Sequence, residues 1–512
     1  MKTIGSYLEG RWHEDGAPVA PQLNPATEET LAEIAAPPAS LGGALAYARA
    51  KGGTALRAMT FAERGEMLRA LSKAIHADRD RLLQVAIENG GNTRGDAKFD
   101  VDGASGTFAW YADLGVSLGA RKLMADGESL QLGRSPRWHG RHVLAPRAGV
   151  AVLVNAFNFP AWGIAEKAAC ALLAGVPVLA KPATPTALVA RELVATMVKA
   201  GVLPGGALQL VLGPTGDLIE RLGVDDVLAF TGSSDTAAML RAKARPGVRV
   251  NVEADSLNAA LVGADVEPGS PAWDLLVADV VRDMTQKTGQ KCTAIRRVLA
   301  PASRLDALGE ALVERLAGVR VGNPALDEVG MGPVATARQR EDVRAGIAAL
   351  ATAGKSIFGG DGSVEPVGVP PGKGFFVSPV LFRADDATAA ALHEREVFGP
   401  VASLMPAESA IDAAAIVARG GGGLVASVYS DDRAFLADAV AALAPITGRL
   451  YLGSSKVAGQ TAGPGTALPQ LNHGGPGRAG DGAELGGLAG LRLYQQRTAL
   501  QGDKAILDDL LR

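Results

Sequence analysis

Cysteine is almost missing from this chain: Cys170 and Cys292 are the two sulfhydryls among 512 residues. So small a supply excludes a disulfide framework and fits a reducing compartment, so a cytoplasmic location is expected. Histidine is scarce too. The six present show no metal-ligand spacing, so no catalytic metal is expected. Long apolar runs are missing. The longest, 168–180, is broken by Gly175 and Pro177 and falls short of the roughly 20 residues of a membrane span. The first residues carry no apolar stretch suited to a signal peptide. Excess positive charge is missing as well: a net charge of −3 leaves no electrostatic footprint for nucleic acid. Gly-x-Gly-x-x-Gly does not occur between a predicted strand and a helix of the first half; its one instance is Gly475–Gly480 in the glycine-rich tail. The nearest phosphate-binding candidate is Thr231-Gly232-Ser233-Ser234, which opens a helix. A plain helix cap would use the same residue types.

Glycine, in contrast, is abundant. Its 64 residues are about twice the usual ~7% and are spread through many short connections, as a chain of alternating strands and helices requires. The chain is too long for one core, so two or three domains are expected. Residues 4–35 read as short strands and turns, 61–91 and about 98–119 as helices. An exposed ribbon follows at 130–132 and 141–144. Its Arg134, Arg137 and Arg141 suit an arm on a partner subunit or a solvated hairpin. Pairing of such an arm (about 126–147) with the C-terminal tail would imply at least a dimer.

From Gly149 a regular rhythm begins. Strands are predicted at 150–154, 176–180, 208–212, 227–230 and 248–252, and helices at 162–173, 187–200, 218–222 and 235–244. Continuous apolar strands alternating with helices predict a doubly wound parallel sheet. The second half repeats the pattern, with helices from Trp273 and at 305–316, 338–353 and 411–418, and strands at 296–299 and 377–382. A strand and a short helix close the chain from Arg497.

Ligands of such sheets bind beyond the carboxyl ends of the strands. Asn158, Lys181, Ser233 and Glu253 all fall just after predicted strands. Cys292 lies in the polar segment Met284–Ile295, with Lys291 beside it and Gly289 three residues before. Positive charge and backbone amides favour a thiolate, and Lys291 is the adjacent cation. Gly289 lets the backbone approach whatever the sulfur attacks. The alternative is an inert, half-buried thiol. Cys170, on the apolar face 168–173, reads as packing.

Taken together, several pieces resemble the aldehyde dehydrogenase superfamily over nearly the whole chain. They are Tyr7-Leu8-Glu9-Gly10-Arg11-Trp12, Asn155-Ala156-Phe157-Asn158-Phe159-Pro160, Lys181-Pro182-Ala183, Phe230-Thr231-Gly232-Ser233, Glu253, Gly289-Gln290-Lys291-Cys292 and Glu396-Val397-Phe398-Gly399-Pro400. The resemblance implies an α/β architecture in three parts. These are a doubly wound cofactor domain (1–125 and 148–258), a second α/β catalytic thiol domain (259–465), and a small β-arm oligomerisation domain (126–147 and 466–512).

It also implies roles. Cys292 attacks the aldehyde carbon to give a thiohemiacetal. The Asn158 amide and the Cys292 N–H hold the oxyanion, and hydride leaves for a nicotinamide. Glu253, its pKa raised by desolvation toward the working pH, then activates water against the thioester. Lys181 meets the adenosine ribose, Gly232 and Ser233 the pyrophosphate, Glu396 the nicotinamide ribose, and Phe398 flanks it. Phe157, Ala183, Thr184, Gly216 and Thr231 complete the cofactor positions. Many members carry Glu where Thr184 stands. A neutral hydroxyl there accepts a 2′-phosphate, so NADP is expected over NAD. The family often has Gly where Ala237 stands here.

Three details resemble the branch that oxidises CoA-linked semialdehydes in aerobic aromatic degradation. They are Glu253-Ala254-Asp255-Ser256-Leu257-Asn258, a slightly long interval from Glu253 to Cys292, and the tail His473–Gly487 with Tyr494–Ala499. The implied function is NADP-dependent oxidation of a CoA-linked semialdehyde to its acid by a homodimer. The alternative is a general NAD(P)-dependent dehydrogenase of free aldehydes. Transfer of the acyl group to CoA would not need Glu253, and the full set Cys292, Glu253, Asn158 and Lys181 speaks against a non-catalytic protein. The loop around His473 and Arg478 reads either as a substrate mouth that meets CoA or as a surface loop.

Overall fold

Five parallel strands carry the first half of the chain, and the apolar residues of the inner ones bury them within the sheet. In the computed structural model, which describes residues 2–511, one sheet has the order Arg249–Glu253, Val227–Thr231, Ala151–Val154, Val178–Lys181, Leu208–Leu210, Ser6–Leu8, Arg11–His13. The first five run parallel and the last two antiparallel. Helix Trp162–Ala174 is buried at every position, and strands Ala151–Val154 and Val178–Lys181 read as apolar runs rather than alternation because both their faces are covered. The helix stops at Gly175, whose φ of 90° belongs to the left-handed cap region. Register sets Glu253 beside Thr231 and Lys181 beside Val154. Both polar residues therefore emerge at the same edge of the sheet.

The second sheet has the order Lys355–Phe358, Val380–Arg383, Val401–Pro406, Arg297–Ala300, Ala259–Val262, Gly423–Tyr429, Thr447–Gly453. All neighbours are parallel except the first pair. Strand Arg249–Glu253 of one sheet leads through Ala254–Asn258 directly into strand Ala259–Val262 of the other. Glu253 thus stands at the seam between them.

The structure departs from the sequence expectation in places. The helical stretch 61–91 is two helices, Phe61–Ala77 and Arg79–Gly90, broken at Asp78. The short helix expected at 218–222 is a run of turns. Strands Met124–Gln131, Trp138–Pro146 and Gln495–Asp503 form a separate antiparallel ribbon. The tail strand pairs with the arm of its own chain, so this pairing does not by itself call for a second subunit. Among the described residues, no helix is long and apolar enough to cross a membrane.

Candidate functional site

The loop that carries Cys292 follows helix Pro271–Thr285. Three consecutive residues, Lys287, Thr288 and Gly289, have φ of 53°, 56° and 66°. Non-glycine residues in that region cost about 1–3 kcal/mol each and persist only where surroundings fix them. Thr288 Oγ1 donates to the Gly332 carbonyl at 3.0 Å, and Lys287 Nζ lies 4.6 Å over the Phe159 ring. Gly289 is required twice over: beyond its φ, a Cβ there would stand 2.2 Å from the Gly399 carbonyl oxygen. Arg296 joins the same segments. Its guanidinium donates to Lys291 O (3.1 Å), to Gly399 O (2.8 Å) and to Glu396 Oε1 (2.9 Å). Asn258 holds the backbone of the Cys292 loop, with Nδ2 donating to Cys292 O at 2.8 Å and Ala294 O at 3.0 Å. Its Oδ1 accepts from Ser256 Oγ at 2.6 Å and from Val425 N–H at 3.0 Å.

The cation facing the thiol differs from the sequence expectation. Lys291 is buried and spent elsewhere, on Asp283 Oδ1 (2.6 Å) and Gln286 Oε1 (2.9 Å). His473 takes that place. Its Nε2 lies 3.8 Å from Cys292 Sγ and 3.0 Å from Glu253 Oε2. Burial, and next the Glu253 carboxylate, push the Cys292 thiol well up. Burial alone would raise Glu253, but the His473 and Lys167 charges outweigh it and hold the carboxyl below its ordinary value. The expected upward shift of Glu253 is therefore reversed. His473 shifts upward in turn, because Glu253 overcomes the effect of burial.

His473 is buried, in a short strand paired with Glu484–Leu485. The glycine-rich loop between them is only partly at the surface: Gly477, Asp481 and Ala483 are exposed, while Gly474, Gly475, Ala479, Gly480 and Gly482 are buried. It lies on the Glu253 strand: a Cβ at Gly480 or Gly482 would stand 2.5 or 2.1 Å from Val252 O. Arg478 donates to His393 O at 3.2 Å and does not line the thiol cavity.

Behind Glu253 lies a second charged layer absent from the sequence reading. Lys167 Nζ is 3.1 Å from Glu166 Oε1 and 2.9 Å from Glu484 Oε2. Asn251 Nδ2 donates to Glu484 Oε1 at 3.1 Å. Burial against the weaker pull of Lys167 pushes Glu484 up to about 7. The available signal was Glu166-Lys167, a charged pair inside an otherwise apolar helix.

Cys292, Glu253 and Asn158 line two cavities at once. The smaller, ≈ 40 Å³, also takes in Asn155, Trp162, Lys167 and His473. It shares Trp162 and Ala467 with an outer vestibule of ≈ 570 Å³. The second cavity, ≈ 370 Å³, contains Phe157, Ala183, Thr231, Gly232, Ser233, Glu396 and Phe398. The thiol thus stands where the two cavities meet. Asn158 Nδ2 donates to Gln290 O at 2.9 Å.

Seven of the ten expected cofactor residues meet in the ≈ 370 Å³ cleft. Three do not line it. Lys181 Nζ donates to Pro182 O at 2.6 Å, and desolvation brings it down to about 8. Thr184 opens the turn Thr184–Thr186, and Gly216 sits in a left-handed turn with φ of 52°. The cleft suits a dinucleotide. Helix Ser234–Lys243 opens onto it from the Ser233 cap. Thr231 Oγ1, Ser234 Oγ and both polar atoms of the Asn155 amide are buried without partners among the described residues, as groups awaiting a polar ligand would be. Glu396 accepts from Ser256 N–H at 3.0 Å, and burial pushes it up to about 7 against the pull of Arg296. Ala237 lies buried in the core beneath the cap.

Comparison with known proteins places this geometry. The pattern of the aldehyde dehydrogenase family matches residues 12–498. Over 477 residues the chain is 45% identical to 3,4-dehydroadipyl-CoA semialdehyde dehydrogenase of Aromatoleum evansii, covering 92% of this chain and 93% of that protein. It is 29% identical over 476 residues to succinate-semialdehyde dehydrogenase [NADP(+)] 1 of Mycobacterium ulcerans, covering 91% and 95%. Among solved structures, lactaldehyde dehydrogenase from Escherichia coli superposes with a TM-score of 0.85 at 24% identity, covering 98% of this chain and 99% of that one.

Proposed function

Because this chain belongs to the aldehyde dehydrogenase family, whose members oxidise aldehydes, we propose that it oxidises a CoA-linked semialdehyde, of the 3,4-dehydroadipyl-CoA type, to the acid with NADP during aerobic degradation of aromatic acids such as benzoate. The observation that carries the CoA-linked reading is the vestibule beyond Trp162 and Ala467. Its ≈ 570 Å³ exceeds what a short free aldehyde needs and falls within the range of ligand sites. Gly95, Gly103 and Gly106 of helix Arg94–Leu118 face it without side chains, and Lys98 at its rim offers a cation to a phosphate. The relative that is 45% identical acts, by its name, on a substrate of this kind.

Cys292 rests as a thiol, and the Glu253–His473 pair is the nearest proton acceptor. As Glu253 takes the thiol proton, sulfur adds to the aldehyde carbon. The oxyanion forms beside the second N–H of the Asn158 amide and the backbone N–H of Cys292; losing such a donor costs about 10²–10³ in rate. The cleft residues would hold the dinucleotide, which would supply the hydride acceptor for the C–H of the thiohemiacetal. The thioester left on Cys292 is cleaved by water that gives its proton to Glu253, and Lys167 and Glu484 stand behind to carry the proton away. Phe157, Thr231, Gly232, Ser233, Glu396 and Phe398 would hold the dinucleotide. Thr184, carrying no negative charge near Lys181, favours the 2′-phosphate.

The same reading gives residues 1–125 and 148–258 to the cofactor, 259–465 to the thiol, and 126–147 with 466–512 to a homodimer contact in the cytoplasm. Leu130, Trp138 and Ile506, exposed on the ribbon and its closing helix, support that contact. The test is the rate of NADPH formation with a CoA-thioester semialdehyde set against the same aldehyde without CoA. A kcat/KM advantage of about 100-fold, roughly 3 kcal/mol of transition-state binding, is expected for the CoA form. Equal values would overturn the reading in favour of a general aldehyde dehydrogenase.

A further inference from the structure

We propose that Cys292, Glu253 and His473 together form a binding site for a zinc ion, which occupies the nucleophile and reversibly silences the enzyme. Three donors of different chemistry, a thiol sulfur, a carboxylate oxygen and an imidazole nitrogen, all lie within 4.8 Å of one another. Tetrahedral zinc takes sulfur at about 2.3 Å and nitrogen or oxygen at about 2.0–2.1 Å, which sets S and N roughly 3.5 Å apart and N and O roughly 3.3 Å apart. Here the S–N and N–O separations are 3.8 and 3.0 Å, so shifts of a few tenths of an ångström complete the geometry. A single ring nitrogen, Nε2, faces both other donors, as a shared central ion requires. The adjoining cavity of ≈ 40 Å³ is large enough for a water as fourth ligand.

The surroundings give the site rigidity and moderate its affinity. Asn258 fixes the Cys292 carbonyl, and the loop around His473 packs on the Glu253 strand. The positive charges of Lys167 and Arg449 face the cluster and oppose a cation, and Glu166 and Glu396 offset them. The other converging group, Glu166, Glu253 and Glu484, has the Lys167 ammonium in its midst and offers a cation no such place. Binding displaces the thiol proton and the proton held by His473 against Glu253. Two protons leave as one divalent ion enters, and no electron moves. With the sulfur ligated and the carboxylate occupied, neither addition to the aldehyde nor activation of water proceeds.

The test uses the intact enzyme, titrated with zinc and, for a spectrum, with cobalt(II). One equivalent of zinc per chain is expected to remain after gel filtration, with activity lost in proportion and fully restored by EDTA. Cobalt(II) is expected to give thiolate-to-metal charge-transfer absorption that is missing in Cys292→Ser. His473→Asn and His473→Ala are expected to weaken zinc binding by about 100-fold or more, read by direct binding rather than by turnover. Circular dichroism checks that both variants fold, and two substitutions guard against one that does not. Unchanged zinc affinity in both His473 variants would overturn the proposal, since the ion would then be held elsewhere or by the thiol alone. Retention of less than one equivalent, or absence of the cobalt–thiolate band, would overturn it too.

Discussion

His473 and Glu253 lie 220 positions apart in the chain, yet their side chains stand 3.0 Å from each other, both buried, beside the one half-buried cysteine. On the proposed mechanism, this pair decides how acid and base are distributed around Cys292. His473→Asn removes the charge that holds Glu253 low, so burial lifts the carboxyl. The acid limb of the pH profile of kcat/KM is expected to move upward by about one pH unit or more. An unmoved limb would mean that His473 does not set the charge of Glu253.

The same pair makes a prediction for stability. His473 is shifted upward on folding, so its contribution is present below its unfolded value of about 6.5 and is lost as pH rises through the folded value. Glu253 is shifted downward, so its contribution is present above its unfolded value of about 4.3 and fades as pH falls through the folded one. Their mutual stabilisation is therefore greatest between those unfolded values. The Tm difference between the native chain and His473→Asn should peak in that window and shrink on both sides.

Gly289→Ala tests the nucleophile loop. The left-handed φ alone costs about 1–3 kcal/mol, and the added carbon would press on the Gly399 carbonyl at 2.2 Å. A lower Tm and slower alkylation of Cys292 by iodoacetamide are expected together. A variant native in both respects would show that the loop does not depend on this close approach.

Gly106→Leu tests the vestibule without touching the chemistry. Gly106 is exposed on a helix, and a Cβ there meets nothing within 4 Å. The helix should gain up to about 1 kcal/mol from replacing glycine. A leucine would project into the space assigned to the carrier. We expect kcat/KM for the CoA-linked aldehyde to fall about tenfold, with that for a short free aldehyde unchanged. Equal effects on both would remove the carrier from this cavity.

Thr184→Glu tests the choice of cofactor. A carboxylate beside Lys181 repels a 2′-phosphate and can accept from a 2′-hydroxyl. The ratio of kcat/KM for NADP over NAD should fall by about tenfold or more. An unchanged ratio would place the discrimination elsewhere.

The readable part of this protein was the part written in local pattern. Val150–Val154 is an apolar run that stops at Asn155, and such a run marks a buried parallel strand and the end where a ligand would bind, whereas Val248–Val252 interleaves Arg249 and Asn251 with valine and stops at Glu253. Cys292 showed itself through polar neighbours. What was hidden depended on distance or direction. Lys291 adjoins Cys292 in sequence, but its side chain turns back to Asp283 on the preceding helix. His473 and Glu484 reach the site only because a glycine-rich loop lies flat on the Glu253 strand. Asn258 sits in a segment that the sequence marked as unusual but gave no role, and its hydrogen bonds span three elements. Gly423–Tyr429 was passed over because a fully buried strand shows no alternation to distinguish it from a buried helix.

The tail strand Gln495–Asp503 and the loop that brings His473 to the thiol both follow the rest of the fold in the chain. During synthesis Cys292 emerges 181 residues ahead of His473. A growing polypeptide therefore carries Cys292 for many seconds before its 3.8 Å neighbour exists. On the proposed mechanism reactivity arrives last, with those segments, and a chain released early has the sulfur without the means to use it.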